Sequence, residues 1–300
     1  MEKNRILTTV LLLVSFCTFA QDGLVKQYQF NQLSYNPAYA GENGIFSVKT
    51  LLGQQFNGTL RPNQVNQMLV IDGQLFNQSG IAFQAFRSNI GNVLSRGFLT
   101  SYSKGFELGE VSVKAGIDAG LMINNQIVLS ANSQIAPFVG AGGLVMYKGL
   151  FAGISKPMAV ASKKIVDSKP VYFQLGYIHS PENSLFHFNI NALLYNFSNQ
   201  NNIDLNTKFW YNQRVGLGLS LRKNNIYRNF EKTWSLIPSV EYKMYKSVHV
   251  GISYDNNKLT DPVSGNSSYE NDLNLRGIFQ LYFRYTSNPN QGDSKFFNKF

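Results

Sequence analysis

A strict alternation of apolar and polar residues recurs along this chain and limits its fold more than any other feature. From Val111 to Leu121 every odd position is apolar and every even position is small or polar. The same pattern runs from Val215 to Leu221 and from Val248 to Tyr254. Successive side chains of a β-strand point to opposite faces, so a period of two predicts half-buried strands. No comparable amphipathic helix occurs, and we therefore predict an all-β chain.

About fourteen such segments of roughly ten residues follow one another, which is the length that a tilted membrane strand needs. Turn residues separate them, and short connections alternate with longer ones at 160–169, 223–232 and 256–272. This arrangement predicts one antiparallel up-and-down transmembrane β-barrel over residues 45–288, with the short turns on the periplasmic side. The segments are expected to begin near Ile45, Gln64, Gly80, Leu94, Gly109, Gln134, Gly149, Val171, Ser184, Ile203, Gln213, Thr233, Ser247 and Leu273.

The composition agrees with membrane strands. Aromatic residues make up 14% of the chain and charged residues 15%, whereas ordinary soluble domains carry about 25% charged residues. After Ala20 no uncharged apolar run approaches the ~20 residues that a spanning helix needs. The alternative is a soluble β-sandwich, which also alternates. Against it we expect aromatic girdles at the two lipid interfaces, formed by Tyr147, Phe151, Tyr177, Phe197, Trp210, Tyr211, Trp234, Tyr242 and Tyr285.

The first twenty residues have the pattern of a secretory signal peptide. A cationic start precedes an apolar run from Ile6 to Ala20, which ends with small residues at its third-last and last positions. Cleavage is expected between Ala20 and Gln21, giving residues 1–20 as the signal peptide. The alternative is a lipoprotein signal at Cys17, but the preceding Phe16 is bulky. Export and a membrane barrel together predict the bacterial outer membrane. The mature chain then has no cysteine, which excludes disulfides and thiol chemistry.

No constellation of catalytic or metal-binding residues emerges. His179, His187 and His249 lie in separate segments, without a second histidine or a carboxylate at ligand spacing. The glycine cluster at 140–143 lacks the Lys-Ser/Thr of a phosphate loop, and no serine has the flanking glycines of a nucleophile elbow. We therefore predict neither an enzyme nor a cofactor.

The basic residues are scattered, which argues against nucleic acid as a partner although the net charge is +10. Several lie on the polar strand faces, so the lumen is either mildly electropositive or packed shut by ion pairs, and the second interpretation is favoured. The charged residues concerned are Lys114, Arg214, Arg222, Lys243, Arg276 and Arg284, with Asp118 and Glu241. On the strand from Val111 to Leu121, Val111, Val113, Ile117 and Leu121 are expected to face lipid, and Lys114 and Asp118 the lumen. An arginine at Ile117 should carry a lipid penalty that an arginine at Gly116 escapes.

Residues 21–44 form a separate N-terminal segment, and residues 289–300 a C-terminal tail. Four aromatics, Tyr28, Phe30, Tyr35 and Tyr39, are too many to leave in water. They do not alternate cleanly with polar residues, and Asn36-Pro37 interrupts a strand ladder by removing a donor. The segment is therefore expected to be ordered, either inside the barrel as a plug or against a partner.

The stretch from Gln27 to Gly41 resembles the start of the PorP/SprF family of type IX secretion system membrane proteins. The resemblance continues through Leu52-Gly53, Asp72-Gly73 and the run from Tyr147 to Pro157. It departs after Gly53, where Gln54 and Gln55 stand in place of a basic residue and a tryptophan. The motif positions that the resemblance marks for partner binding or plugging are Gln27, Tyr28, Phe30, Asn31, Tyr35, Asn36, Pro37, Ala38, Tyr39 and Gly41.

The resemblance implies an outer-membrane component of the type IX secretion and gliding apparatus of Bacteroidota. Its partners would be outer-membrane lipid and either a machinery subunit or a secreted, adhesin-like cargo that the barrel helps to export or display. The alternative function is a passive outer-membrane channel or a transporter of hydrophobic solutes.

Overall fold

Fourteen antiparallel strands close into one barrel in the computed structural model. The structure describes residues 30–42, 46–56, 62–76, 78–90, 93–126, 134–161, 169–181, 184–197, 200–224, 233–245, 247–255 and 278–287. The strands are β1 (Phe46–Phe56), β2 (Pro62–Gln74), β3 (Ser79–Ile90), β4 (Val93–Leu108), β5 (Val111–Gln126), β6 (Gln134–Tyr147), β7 (Leu150–Ala161), β8 (Val171–His179), β9 (Phe186–Phe197), β10 (Gln200–Tyr211), β11 (Val215–Asn224), β12 (Thr233–Tyr245), β13 (Val248–Asp255) and β14 (Ile278–Ser287).

Each strand pairs with its neighbour in sequence, and β1 pairs with β14 to close the sheet. Closure removes the free edges that an open sheet would expose, as a lipid-embedded sheet requires. The predicted single up-and-down barrel of about fourteen strands is confirmed. The predicted signal peptide and C-terminal tail lie outside the described residues, and those boundaries stay predictions. Within the described ranges, no helix is long and apolar enough to cross a bilayer.

The alternation in β5 separates a lipid face from a lumen face as predicted. Ile117 is 60% exposed on the outside of the barrel. Lys114 and Asp118 are buried on the inside, as is Gly116 between them. Because the side-chain period is two, a shift of the pairing register by one residue would exchange the two faces.

The connections are short at the end of the barrel where β4 meets β5 and β6 meets β7. Lys148 and Gly149 both have positive φ, 46° and 90°, as a two-residue turn matching the strand twist requires. At the opposite end of the barrel, 8 residues separate the end of β11 from the start of β12, and 22 separate β13 from β14. At that same end, only two residues separate β3 from β4 and β9 from β10. The predicted alternation of short and long connections is therefore incomplete.

Aromatic side chains lie exposed near both ends of the strands, as expected for interfacial girdles. They include Tyr147, Tyr211, Trp234, Tyr242 and Tyr285. The girdle prediction is wrong for two residues, since Phe151 and Trp210 are buried in the lumen. Neighbouring residues of a strand face opposite ways, so Trp210 and Tyr211 cannot both face lipid. Tyr177 is half-buried, and the side chain of Phe197 lies outside the described part.

The apolar core of the protein lies inside the barrel. One cluster joins the inner wall to residues that precede β1, and it includes Leu33, Tyr35, Tyr39, Leu144 and Tyr172. A second cluster on the inner wall consists of Phe86, Leu99, Met122 and Phe138, with Met158 and Ala161 packed against it. The interior is thus filled by side chains from the wall and from the N-terminal segment together.

Candidate functional site in the barrel lumen

Residues 30–42, called the lumen segment below, lie inside the barrel as two short 3-10 helices, Gln32–Ser34 and Pro37–Tyr39. Asn36 is extended, as the residue before a proline prefers, and its side chain accepts a hydrogen bond from the Ala38 amide at 3.0 Å. Pro37 takes the first helical position, where its missing N–H costs nothing. The Asn-Pro pair therefore sets a compact turn that fits within the lumen.

One side of the lumen segment is hydrogen-bonded to β6, β7 and β8. The Tyr39 hydroxyl donates to Gln174 Oε1 at 2.5 Å, and Ser155 Oγ donates to the Tyr35 carbonyl at 2.5 Å. Asn36 Nδ2 donates to the Gly143 carbonyl at 3.1 Å. Tyr39 is 1% exposed, and burial raises the pKa of its phenol above the ordinary value. The phenol is therefore a neutral donor at this position.

The other side of the lumen segment contacts β3, β10 and β14. Asn31 Nδ2 donates to Gln84 Oε1 at 2.6 Å, and Gln84 Nε2 donates to the Leu33 carbonyl at 3.1 Å. The Phe30 ring stacks on Tyr282 with centroids 3.7 Å apart, and the Lys208 ammonium lies 5.5 Å from the Phe30 ring centroid. The segment therefore crosses the lumen from one wall to the other.

Glycines in the wall allow the backbone of the lumen segment to approach it closely. A Cβ at Gly80 would collide with the Ala40 carbonyl, and one at Gly116 would collide with the backbone of Pro37 and Ala38. A Cβ at Gly142 would meet the Asn36 side chain. Gly116 faces the lumen as predicted, but an arginine there has no room. An arginine at Gly116 would escape the lipid penalty, but it would carry a steric cost that the strand pattern does not show.

An ion pair and two hydrogen bonds hold the C-terminal end of the lumen segment, at Ala40 and Glu42. Lys114 forms a buried ion pair with Glu42 and donates to the Ala40 carbonyl at 3.2 Å. Ser103 Oγ donates to the same carbonyl at 2.7 Å. Lys114 was predicted to face the lumen, but its partner Glu42 could not be read from the strand pattern.

The wall from β10 to β14 carries two ionic networks. Glu241 accepts from Lys208 and from Arg284 at 3.2 Å, and its Oε1 lies 3.1 Å from His249 Nδ1. In the second network, the Arg222 Nε lies 2.7 Å from Asp204 Oδ2, and its Nη1 lies 3.7 Å from Asp255 Oδ2.

These contacts support ion pairing for Lys114, Arg222 and Arg284. Arg214 lies in an exposed turn and Lys243 is half-buried, while Arg276 lies outside the described residues. Asp118 Oδ1 is buried without a hydrogen bond among the described residues. Lys208, Asp204 and Asp255 were not singled out from the sequence, although the alternation in β10 would have placed Lys208 and Asp204 on one face.

The structure thus brings eight of the ten motif residues together in the lumen, namely Phe30, Asn31, Tyr35, Asn36, Pro37, Ala38, Tyr39 and Gly41. Gln27 and Tyr28 lie outside the described residues. The role of the motif as a plug or a partner site stays a prediction. Across the described ranges, no group of three or more His, Cys, Asp or Glu residues could hold a metal ion.

The fold places the chain among outer-membrane β-barrels. It is similar to the outer membrane protein Omp33 of Acinetobacter baumannii, with a TM-score of 0.53, 10% identity, and coverage of 81% of this chain and 98% of that one. It is also similar to the toluene transporter TodX of Pseudomonas putida, with a TM-score of 0.51, 10% identity, and coverage of 88% of this chain and 94% of that one. No curated protein matches the sequence.

A comparison of the sequence with family models assigns the chain to a family. The model of the type IX secretion system membrane protein PorP/SprF family matches residues 17–276. The chain belongs to this family, as the resemblance of its N-terminal motif indicated. It is an outer-membrane barrel of the type IX secretion system.

Proposed function

We propose that this protein is a closed, non-conducting barrel that holds a secreted, adhesin-like partner or a machinery subunit at the outer membrane. Its role is binding and secretion, without catalysis. In this proposal the lumen segment is a plug. The observation that carries it is that a buried segment crosses the lumen and bonds to both walls.

The geometry of the lumen segment supports a permanent plug. Tyr35, Ala38 and Ala40 are each 0% exposed, and removing such side chains from the interior would uncover apolar surface and unpair buried polar groups. A barrel whose lumen is closed in this way cannot pass folded cargo through itself. The partner would therefore bind at the barrel's loops, together with the part of the motif that precedes Phe30, which includes Gln27 and Tyr28.

A second candidate is transport of hydrophobic solutes. It is favoured by the apolar cluster of Phe86, Leu99, Met122 and Phe138 on the inner wall, because most porin lumens are polar. The toluene transporter TodX has a similar fold, but at 10% identity that likeness concerns the fold alone. In this candidate the lumen segment would move aside to admit a solute.

Single-channel recording in planar bilayers distinguishes the two candidates. The native barrel should be silent, and a barrel with Tyr35→Ala and Tyr39→Ala should show openings. A matched pair, Tyr147→Ala with Tyr211→Ala, removes two exposed tyrosines and should stay silent. Steady conductance of the native barrel would contradict the plug and favour the channel.

Partner binding is tested in cells of the native host. The tagged barrel should copurify with one secreted protein or one machinery subunit, and deleting the barrel's gene should abolish surface display of that partner. Replacing Tyr28 with alanine should weaken the copurification while the barrel still shows heat-modifiable migration on a gel. Normal display of all secreted proteins in the deletion strain would contradict a secretion role.

A further inference from the structure

A small cavity lies between Phe30 of the lumen segment and the wall formed by β1, β2, β10, β12 and β14. Three cationic side chains line it, Lys49, Lys208 and Arg284, with a single carboxylate, Glu241. The Phe30 and Tyr282 rings form its apolar sides. This cavity lies apart from the hydrogen bonds that hold the lumen segment to β6, β7 and β8.

Glu241 already pairs with two of the three cations. Its Oε2 pairs with Lys208, and its Oε1 contacts both Arg284 Nη2 and His249 Nδ1. Lys49 is attracted by Asp72 and repelled by Arg284, and Asp72 already accepts from the Ser47 hydroxyl. Even when Asp72 is counted, three cations face two carboxylates, so the described groups around the cavity carry an excess of positive charge.

One donor at the cavity lacks an acceptor. Arg284 Nε is buried without a hydrogen bond among the described residues, whereas the Tyr282 hydroxyl has Glu241 as its hydrogen-bond partner. Tyr282 is 5% exposed. Buried donors without acceptors and an uncompensated buried charge are both unfavourable.

We propose that this cavity binds one small inorganic anion, such as chloride. The anion would accept a hydrogen bond from Arg284 Nε, and it would neutralise the excess charge of Lys49, Lys208 and Arg284. The cavity is small, which suits a monatomic anion and excludes a nucleotide or a sugar phosphate. The proposal does not depend on the partner or on the transport properties of the barrel.

Trp210 offers a local reporter for this site. The chain has two tryptophans, and Trp234 is 54% exposed on the outer face. Trp210 is 1% exposed, and the Lys208 ammonium lies 5.0 Å from its ring centroid. A Trp234→Phe variant therefore fluoresces from the lumen alone. Iodide quenches tryptophan on close approach and serves as the anionic probe.

The experiment titrates folded full-length Trp234→Phe protein in detergent with iodide at constant ionic strength. Quenching should saturate, and chloride should relieve it competitively. Lys49→Met in the same background should weaken apparent iodide binding at least tenfold, whereas Lys49→Arg should retain it. The matched control Lys223→Met removes a cation from the outer face and should leave the titration unchanged.

Quenching that rises linearly with iodide, ignores chloride and is equal in all variants would overturn the proposal. Heat-modifiable migration on a gel checks that each variant is folded. Chloride competition in the Trp234→Phe protein itself needs no lysine substitution. The proposal therefore remains testable even if Lys49→Met does not fold.

Discussion

The hydroxyl of Tyr39 donates a hydrogen bond to Gln174 Oε1 at 2.5 Å, and the two residues are 135 positions apart in sequence. Both side chains are buried. The bond joins the lumen segment to β8 across the inside of the barrel. It fixes the depth of the second 3-10 helix relative to the wall.

Tyr39→Phe should destabilise the folded barrel, because it removes this bond and leaves Gln174 Oε1 buried without its donor. The cost should be ~1–3 kcal/mol, measured by reversible urea unfolding in lipid vesicles. Tyr211→Phe removes a hydroxyl from an exposed ring and should change stability by less than ~0.5 kcal/mol. Equal effects of the two substitutions would show that the Tyr39 bond contributes nothing.

Gly116→Ala should displace the lumen segment, because the added Cβ meets the backbone of Pro37 and Ala38. Overpacking of this kind costs ~1–3 kcal/mol. Gly143→Ala on the neighbouring strand is the control, since the nearest atom to its Cβ is the Lys114 carbonyl oxygen at 3.8 Å. Protease cleavage near residues 30–42 should become faster in Gly116→Ala alone. Identical cleavage rates in both variants would refute the close contact.

Ile117→Arg should destabilise the barrel by ~2–4 kcal/mol if Ile117 lies near the bilayer midplane, because it places a charge in lipid. Val111 shares the outer face of β5 but follows the turn at Gly109 and Glu110. Val111→Arg near the interface should cost ~0–1 kcal/mol. Folding into vesicles measures both free energies. A larger cost at Val111 than at Ile117 would reverse the assigned depths.

Glu241→Gln should be the most destabilising of the polar substitutions, because it leaves the half-buried Lys208 and Arg284 without their shared, fully buried carboxylate. Breaking a buried network from one side costs ~3–5 kcal/mol. Glu110→Gln removes the partner of Lys148 in an exposed turn and should have little measurable effect. The midpoints of thermal unfolding in detergent compare the two. A midpoint unchanged by Glu241→Gln would mean that the network does not stabilise the barrel.

Much of the wall could be predicted because its determinants are local. In β5 the alternation assigned Ile117 to lipid and Lys114 and Asp118 to the lumen, and the structure has them there. Bilayer thickness and the rise per residue require about ten residues of a tilted membrane strand, and the fourteen strands have between 8 and 16. That the N-terminal motif does not form a membrane strand could also be predicted, since its aromatics and Asn36-Pro37 disfavour one.

The contacts inside the barrel could not be predicted because they depend on closure and register. Tyr39 meets Gln174, and Pro37 meets Gly116, only once fourteen strands have paired in order around one axis. Phe151 and Trp210 are buried because of their place in the alternation of β7 and β10, which their residue type does not show. The sequence by itself determined a barrel with two chemically different faces, because alternation is a property of each strand alone. The tertiary structure decided how the lumen is filled, because that depends on side chains far apart in sequence meeting across its width.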